Sequence, residues 1–196
     1  MYMSIFKSIQ TWLNNESIFV FDSKLRAQFQ QLPVLFEQVD LSSKNCFSPG
    51  HYTSSIFLLS PDLQSVLLIY HPSFLSWIQP GGHLERADQS LEEACFRELR
   101  EETGVQDGHI LPILDLDIHS VPDNPKKQQP AHLHYDLRIF VQASELKLSS
   151  AREMAAKWIP LKDFVQEQSS TAFGDASVLK GLKAFDAWQR QRQQNK

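Results

Sequence analysis

The sequence predicts an α/β fold, a mixed sheet held between helical layers, with a helical extension at the N-terminus. Three observations carry this. Strand-like alternation stands on both sides of one short amphipathic helix. A second amphipathic helix closes the chain. The first 45 residues carry apolar side chains at helical spacing.

In chain order, Ile5, Ile9, Trp12 and Leu13 predict a helix from Ser4 to about Leu13. Asp22 is placed to cap a second helix running to about Val39, with the stripe Leu25, Phe29, Leu32, Phe36 and Val39, and Pro33 kinks or breaks it. This extension, residues 1–45, packs on the main domain or on a second subunit, and its apolar stripes suit a homodimer contact. Residues 46–196 form the main domain. It opens with a linker ending in the Pro49-Gly50 turn. His51–Leu59 and Ser65–Tyr70 flank Ser60-Pro61-Asp62 and read as a hairpin. Ile110–His119 alternates, with Leu114, Leu116 and Ile118 on one face and Asp115, Asp117 and His119 on the other. A Pro-rich loop follows. Ala131–Ala143 alternates in the same way, with Leu133, Tyr135, Leu137 and Ile139 against His132, His134, Asp136 and Arg138. Ser149–Lys157 reads as a short polar helical stretch and Trp158–Leu161 as a strand. A helical turn lies around Asp163 and Phe164, and Ser177 to about Gln191 forms the closing helix, with Val178, Leu179, Leu182, Phe185 and Trp188.

At 196 residues the chain is long enough to bury a sizeable core. Its apolar content of 42% and charged content of 21% are those of a soluble globular protein. A net charge of −4 gives no basis for binding nucleic acid or an acidic membrane surface, so an anionic substrate needs a local site. No apolar run approaches the ~20 residues that span a bilayer. The N-terminus, interrupted by Lys7, Ser8 and Gln10, makes a poor signal peptide. These features predict a cytoplasmic protein. Of the two cysteines, Cys95 lies on the apolar side of its helix and reads as a buried thiol.

The informative stretch is Trp77–Val105, W-I-Q-P-G-G-H-L-E-R-A-D-Q-S-L-E-E-A-C-F-R-E-L-R-E-E-T-G-V. A loop with Pro80, Gly81 and Gly82 leads into a helix from Leu91, with Ser90 as N-cap, Glu93 at capping-box spacing and Gly104 placed to end it. Glu92 and Glu93 suit the positive helix start. Glu98, Glu101 and Glu102 crowd the last turn, where carboxylates are disfavoured, and at about 100° per residue they share one face. Each like-charge pair costs a few tenths of a kcal/mol. A divalent cation turns that repulsion into coordination, and hard oxygen donors suit Mg²⁺ or Mn²⁺. A solvated acidic helix end, partly neutralised by Arg97 and Arg100, is the plain alternative. The Gly-Gly turn and the ordered R-E-L-R-E-E-T-G string weigh against it.

This stretch resembles the Nudix box, the signature of the Nudix hydrolases. Arg97-Glu98-Leu99-Arg100-Glu101-Glu102-Thr103-Gly104-Val105 matches the second half at every fixed position, and Gly82 matches the leading glycine. Between Gly82 and Arg97 there is one residue too many, so the upstream acid of the pattern falls on Asp88 or Gln89, with Asp88 preferred. The W-x-Q-P-G-G-H loop and the N-terminal helices are similar to those of a bacterial Nudix subgroup. The resemblance implies the Nudix α/β/α sandwich over roughly His51–Phe164. It implies a pyrophosphohydrolase cleaving a diphosphate bond in a nucleoside diphosphate derivative or nucleotide, with Mg²⁺ or Mn²⁺ held by Glu98, Glu101, Glu102 and the Gly82 carbonyl. Glu98, Arg97 and Glu101 are the implied catalytic residues, Arg97 by orienting Glu98 or pairing with another acid. A nucleotide-binding Nudix module with little catalysis is the other reading.

Histidines form a second constellation. His119, His132 and His134 lie on the polar faces of two strands, and His83 adjoins Gly82. They read as a substrate-cleft wall or as an exposed sheet face. A transition-metal site from His132, His134 and an acid ranks below both. Trp77 and Tyr135 are candidates to stack on a base, although each is more often a packing residue.

Overall fold

The computed structural model describes residues 2–35, 39–72, 75–148, 154–166 and 176–194. Helix α1 (Tyr2–Asn14) is followed by the short strand β1 (Phe19–Val20) and helix α2 (Ser23–Leu35). Strands β2 (His51–Leu59), β3 (Ser65–His71), β4 (Ser76–Ile78) and β5 (Gly81–His83) precede helix α3 (Leu91–Thr103). Then come β6 (Gly108–Val121), β7 (His132–Ala143), β8 (Ala155–Pro160), α4 (Leu161–Gln166) and α5 (Ala176–Gln194).

The strands form one mixed sheet in the order β1-β6-β7-β2-β3-β4, with β5 on β2 and β8 on β3. β2 runs parallel to β7 over its whole length, from His51 opposite His134 to Leu59 opposite Gln142. Its other edge is shared: β5 takes Thr53–Ser55, and β3 joins only at Leu59 opposite Val66. β6 and β7 are antiparallel, broken by an irregularity between Ile110 and Leu114.

Period-two alternation gives the sheet two apolar faces. Tyr52, Ile56, Leu58, Leu114, Leu116, Leu137 and Ile139 form one core with α1, α2 and α3. Phe57, Leu59, Val66, Leu68, Ile113, Phe140 and Ile159 form the other with α5. This is the expected α/β/α sandwich. The N-terminal segment packs on the α3 face: Ile5, Ile9, Trp12, Leu13, Phe29 and Leu32 are buried there, and β1 adds a parallel edge strand to β6. Those members of the stripes thus pack within the chain, while Val39 is exposed.

Local signals hold at most ends. The Asp22 carboxylate accepts from Leu25 N–H at 2.9 Å. Helix α2 runs through Pro33 and is described to Leu35; of its expected continuation, residues 36–38 lie outside the described residues and Val39 is not helical. One expectation fails. The stretch read as helical to Lys157 is strand from Ala155, because β8 pairs with β3 from Ala155 opposite Tyr70 to Pro160 opposite Ser65. The ladder overrides the helical preference of Ala-Ala-Lys; residues 149–153 of that stretch lie outside the described residues. No helix among the described residues is long and apolar enough to cross a membrane.

Gly181 of α5 sits against the Phe57 ring, and a Cβ there would collide with it. Phe57 is fully buried and stacked on Phe140 at 4.9 Å, so it has no room to yield. Gly181→Ala is therefore expected to destabilise by about 1–3 kcal/mol through overpacking, exceeding the ~0.5–1 kcal/mol that alanine gains in a helix. Denaturant unfolding measures the net loss.

Candidate active site

Helix α3 is bounded as its sequence requires. The Ser90 hydroxyl accepts from Glu93 N–H at 3.1 Å, and the Glu93 carboxylate accepts from Gln89 N–H at 2.7 Å. Gly104 has φ 75° and donates to the Arg100 carbonyl, closing the helix with a left-handed residue. Leu91, Ala94, Cys95 and Leu99 are buried against the sheet. That burial orients Glu98, Glu101 and Glu102 along the edge facing β5. Cys95 is a fully buried free thiol, and burial raises its pKa well above the ordinary value.

The β5–α3 loop is tied down by Arg97. Its Nε and Nη2 donate to the two oxygens of Asp88 at 3.1 Å each, and Nη2 also donates to the His83 carbonyl at 2.9 Å. Its Nη1 donates to Glu98 at 2.8 Å and to Glu101 at 3.4 Å. Asp88, 3% exposed, in turn accepts from Glu85 N–H at 2.7 Å. Burial opposes the Arg97 charge, but Asp88 and Glu98 outweigh it and push its pKa up. Arg97 is thus bonded both to Glu98 and to a second acid, Asp88. Asp88 is occupied by Arg97 and the loop backbone.

Glu102 is buried, and its carboxylate accepts from Gly81 N–H at 2.9 Å. A Cβ at Gly82 would meet the Glu98 carboxylate and force that side chain to shift, so glycine leaves Glu98 its place against the loop. Burial raises the Glu98 pKa, with Arg97 opposing that rise. Along this edge Glu98 lies against Gly82 and shares Arg97 with Glu101, while Glu102 is held by Gly81 N–H, and Glu101 is more open than Glu98. Hard oxygen donors, an acid partly stripped of water and a glycine cradle fit a hard divalent cation.

On the opposite face of the sheet lies a ring of imidazoles. Thr53 stands opposite His83 and Ser54 opposite Gly82, so alternation sends the His83 ring away from Glu98. There it meets His51 at 5.1 Å and His134 at 5.3 Å between ring centres. His51 also contacts His132 and His134, and His134 contacts His119. Burial lowers the His134 pKa to about 3 and the His83 pKa to about 4, assisted by neighbouring histidines. His119 moves the other way, raised by its hydrogen bond to Asp117 at 3.2 Å.

The exposed-face reading of this side fails further along the strands. Asp115, Asp136 and Arg138 are buried, because α5 covers them. Arg138 pairs with Asp115 at 2.7 Å and donates to the Ser177 hydroxyl and carbonyl at the start of α5. Asp136 accepts from Thr53 and Ser55 hydroxyls, and Lys180 reaches Asp117 at 2.9 Å. Trp77 stands apart from the imidazole ring, edge-on to Tyr70 at 5.6 Å with the Lys157 ammonium 4.5 Å from its ring centre. Tyr135 packs on Phe29 in the helix-side core. His51 was missed from sequence. Its only local signal is its position two residues before Thr53 on an alternating strand; the parallel pairing of β2 with β7 that places it is a long-range fact.

The profile of the NUDIX domain family matches residues 50–182. A protein described as a probable DHNTP pyrophosphohydrolase, from Lactococcus lactis subsp. cremoris strain MG1363, is 29% identical over 98 residues. That match spans 44% of this chain and 58% of the relative, so less than two thirds of the relative is covered. Among solved structures, the E. coli dihydroneopterin triphosphate pyrophosphohydrolase aligns with TM-score 0.49 at 11% identity, over 68% of this chain and 93% of that one. The NUDIX domain of Shewanella oneidensis NrtR, solved with ADP ribose, aligns with TM-score 0.45 at 23% identity, over 70% and 86%.

Because Asp88 is buried and held mainly by Arg97, removing the guanidinium leaves an uncompensated carboxylate. Arg97→Ala is expected to destabilise the fold by roughly 3 kcal/mol. Arg97→Lys should recover only part of this, since an ammonium cannot reproduce the forked contact with Asp88 together with the His83 carbonyl. Urea unfolding of the three proteins tests both statements.

Proposed function

From the premise that this chain belongs to the NUDIX domain family, we propose that it is a hydrolase cleaving a diphosphate bond in a nucleotide or nucleoside diphosphate derivative, with Mg²⁺ or Mn²⁺. The observation that carries the reading is the join between loop and helix: Gly82 lies against the Glu98 carboxylate while Arg97 links Glu98, Asp88 and the His83 carbonyl. The cation, when bound, neutralises phosphate charge and lowers the pKa of a water. Glu98, Glu102 and Glu101, with the Gly82 carbonyl, are the groups to hold it.

The remaining work falls to the chain. Arg97 keeps the Glu98 oxygens directed along the acidic edge. The Gly81 N–H fixes Glu102 in the same way. A glutamate of this edge takes the proton from the attacking water; Glu101 is half-exposed and so reaches solvent most readily. On the other side of β5, His83, His119, His132 and His134 line a polar face for the remaining part of a substrate. His119, whose pKa Asp117 raises, suits a phosphate, and His83 and His134, held neutral by burial, suit ribose or base oxygens. Substrate breadth is a proposal of the same kind: the named activities of relatives include pyrophosphohydrolysis of a pterin triphosphate.

The irregular Asp88-Gln89 spacing leaves room for the binding-module alternative, and the Arg97–Asp88 pair at that position supports the catalytic reading over it. The test is a chromatographic panel of nucleoside and pterin triphosphates, ADP-ribose, nucleotide sugars and dinucleoside polyphosphates, with Mg²⁺ or Mn²⁺. A metal-dependent product is expected, reduced at least about 100-fold in Glu98→Gln. Thermal unfolding of Glu98→Gln should match wild type. Equal turnover by the variant removes Glu98 from the mechanism, and ligand binding without any product supports the module instead.

A further inference from the structure

We infer that His51, His132 and His134 form a second metal site, distinct from the acidic edge and selective for a zinc-class transition-metal dication. Each of these residues brings a ring nitrogen within 4.8 Å of the others. The Nε2 atoms of His132 and His134 are 3.2 Å apart. Two nitrogens bound tetrahedrally to zinc at about 2.0–2.1 Å stand about 3.3 Å apart, so this pair is already at coordinating separation.

The tautomers are set by the backbone. His51 Nδ1 lies 3.0 Å from the Cys46 carbonyl and His132 Nδ1 lies 2.8 Å from the Pro130 carbonyl. A carbonyl only accepts, so each Nδ1 carries the proton and each Nε2 presents a lone pair. A backbone carbonyl on the outer nitrogen is the support that orients histidine ligands in metal sites. His134 can donate one Nε2 proton to His132. His51 Nε2 then remains: it is buried, in a residue 1% exposed, with no hydrogen-bond partner among the described residues. An orphaned buried acceptor costs about 1–3 kcal/mol, and a cation removes that cost.

The frame is rigid. His51 and His134 are direct partners across the β2–β7 ladder, and Phe47 packs edge-on to His132 at 5.1 Å. Three imidazoles without a carboxylate form a set for zinc, cobalt, nickel or copper, and a poor one for Mg²⁺. Three protein ligands also leave a tetrahedral position open, the pattern of a zinc ion that meets solvent or substrate. The neighbour across the ring is His83, one residue from Gly82.

The experiment uses the full chain without a histidine tag, stripped by chelator and then titrated with Zn²⁺ or Co²⁺ in excess Mg²⁺. One tight equivalent of Zn²⁺ per chain is expected, with the visible absorption of tetrahedral Co²⁺ and a Zn²⁺-dependent rise in Tm. His134→Ala, at the half-buried member, should weaken binding at least 10–100-fold and abolish both signals. His132→Gln provides a second variant, each checked for fold by circular dichroism. Glu98→Gln should retain the full equivalent. The inference is overturned if wild type binds no more zinc than His134→Ala. It is overturned equally if Glu98→Gln loses the metal, since the ion would then belong to the acidic edge.

Discussion

The site depends on one cation, the guanidinium of Arg97. Five contacts join it to Asp88, the His83 carbonyl, Glu98 and Glu101. Without it the β5–α3 loop would carry a buried carboxylate and a free carbonyl, and three glutamates would repel one another at the negative end of α3. Exposed ion pairs contribute little to stability, but this one is largely withdrawn from water and its partners are geometrically matched. Function follows from the same contacts. A side chain held only by its own rotamer explores several positions; the bond from Arg97 favours one for Glu98, against Gly82.

A second constraint is the sharing of β2. Its outer edge is divided between three residues of β5 and the end of β3, while its inner edge pairs entirely with β7. Because the pleat alternates, the successive residues Gly82 and His83 serve opposite faces of the sheet. The glycine meets the carboxylates of α3, and the histidine meets the imidazoles of β2 and β7. One short strand therefore couples an oxygen-rich site to a nitrogen-rich one.

Much of this was legible in the sequence. The ends of α3 follow from Ser90, Glu93 and Gly104, and the alternation of Ile110–His119 and Ala131–Ala143 names the two central strands. The histidine face was legible too, since His119 and His134 are direct partners. What escaped was set by distant contacts. The β2–β7 pairing joins segments about 80 residues apart, and it alone brings His51 to the ring. The sequence suggested an acid as third member beside His132 and His134; Asp136 is taken up by Thr53 and Ser55, and His51 stands there instead. Ala155–Lys157 has helical composition and became strand because β3 had an unpaired edge. The buried state of Asp115, Asp136 and Arg138 could not be read from alternation, which separates two faces without saying which helix covers the polar one.

That covering decides what the polar face can do. At its α5 end, Arg138 and Lys180 are balanced by Asp115 and Asp117, and Arg138 also donates to Ser177, so the charges are held by protein partners. Burying such a network stabilises little compared with an apolar core, but breaking it is costly, which makes α5 register specific. Toward the other end, beyond α5, the partners change from carboxylates to imidazoles, and the balance of fixed charge ends with Asp117 and His119. The remaining histidines have lone pairs and few donors. Donor hardness separates the two ends of β5's neighbourhood: carboxylates and a backbone carbonyl favour small hard cations, whereas imidazoles favour softer ones. Since Gly82 and His83 point to opposite faces, one ion cannot draw ligands from both sets. Any ligand that used both would have to bridge them, its anionic part at the acidic edge and its neutral polar part at the histidines.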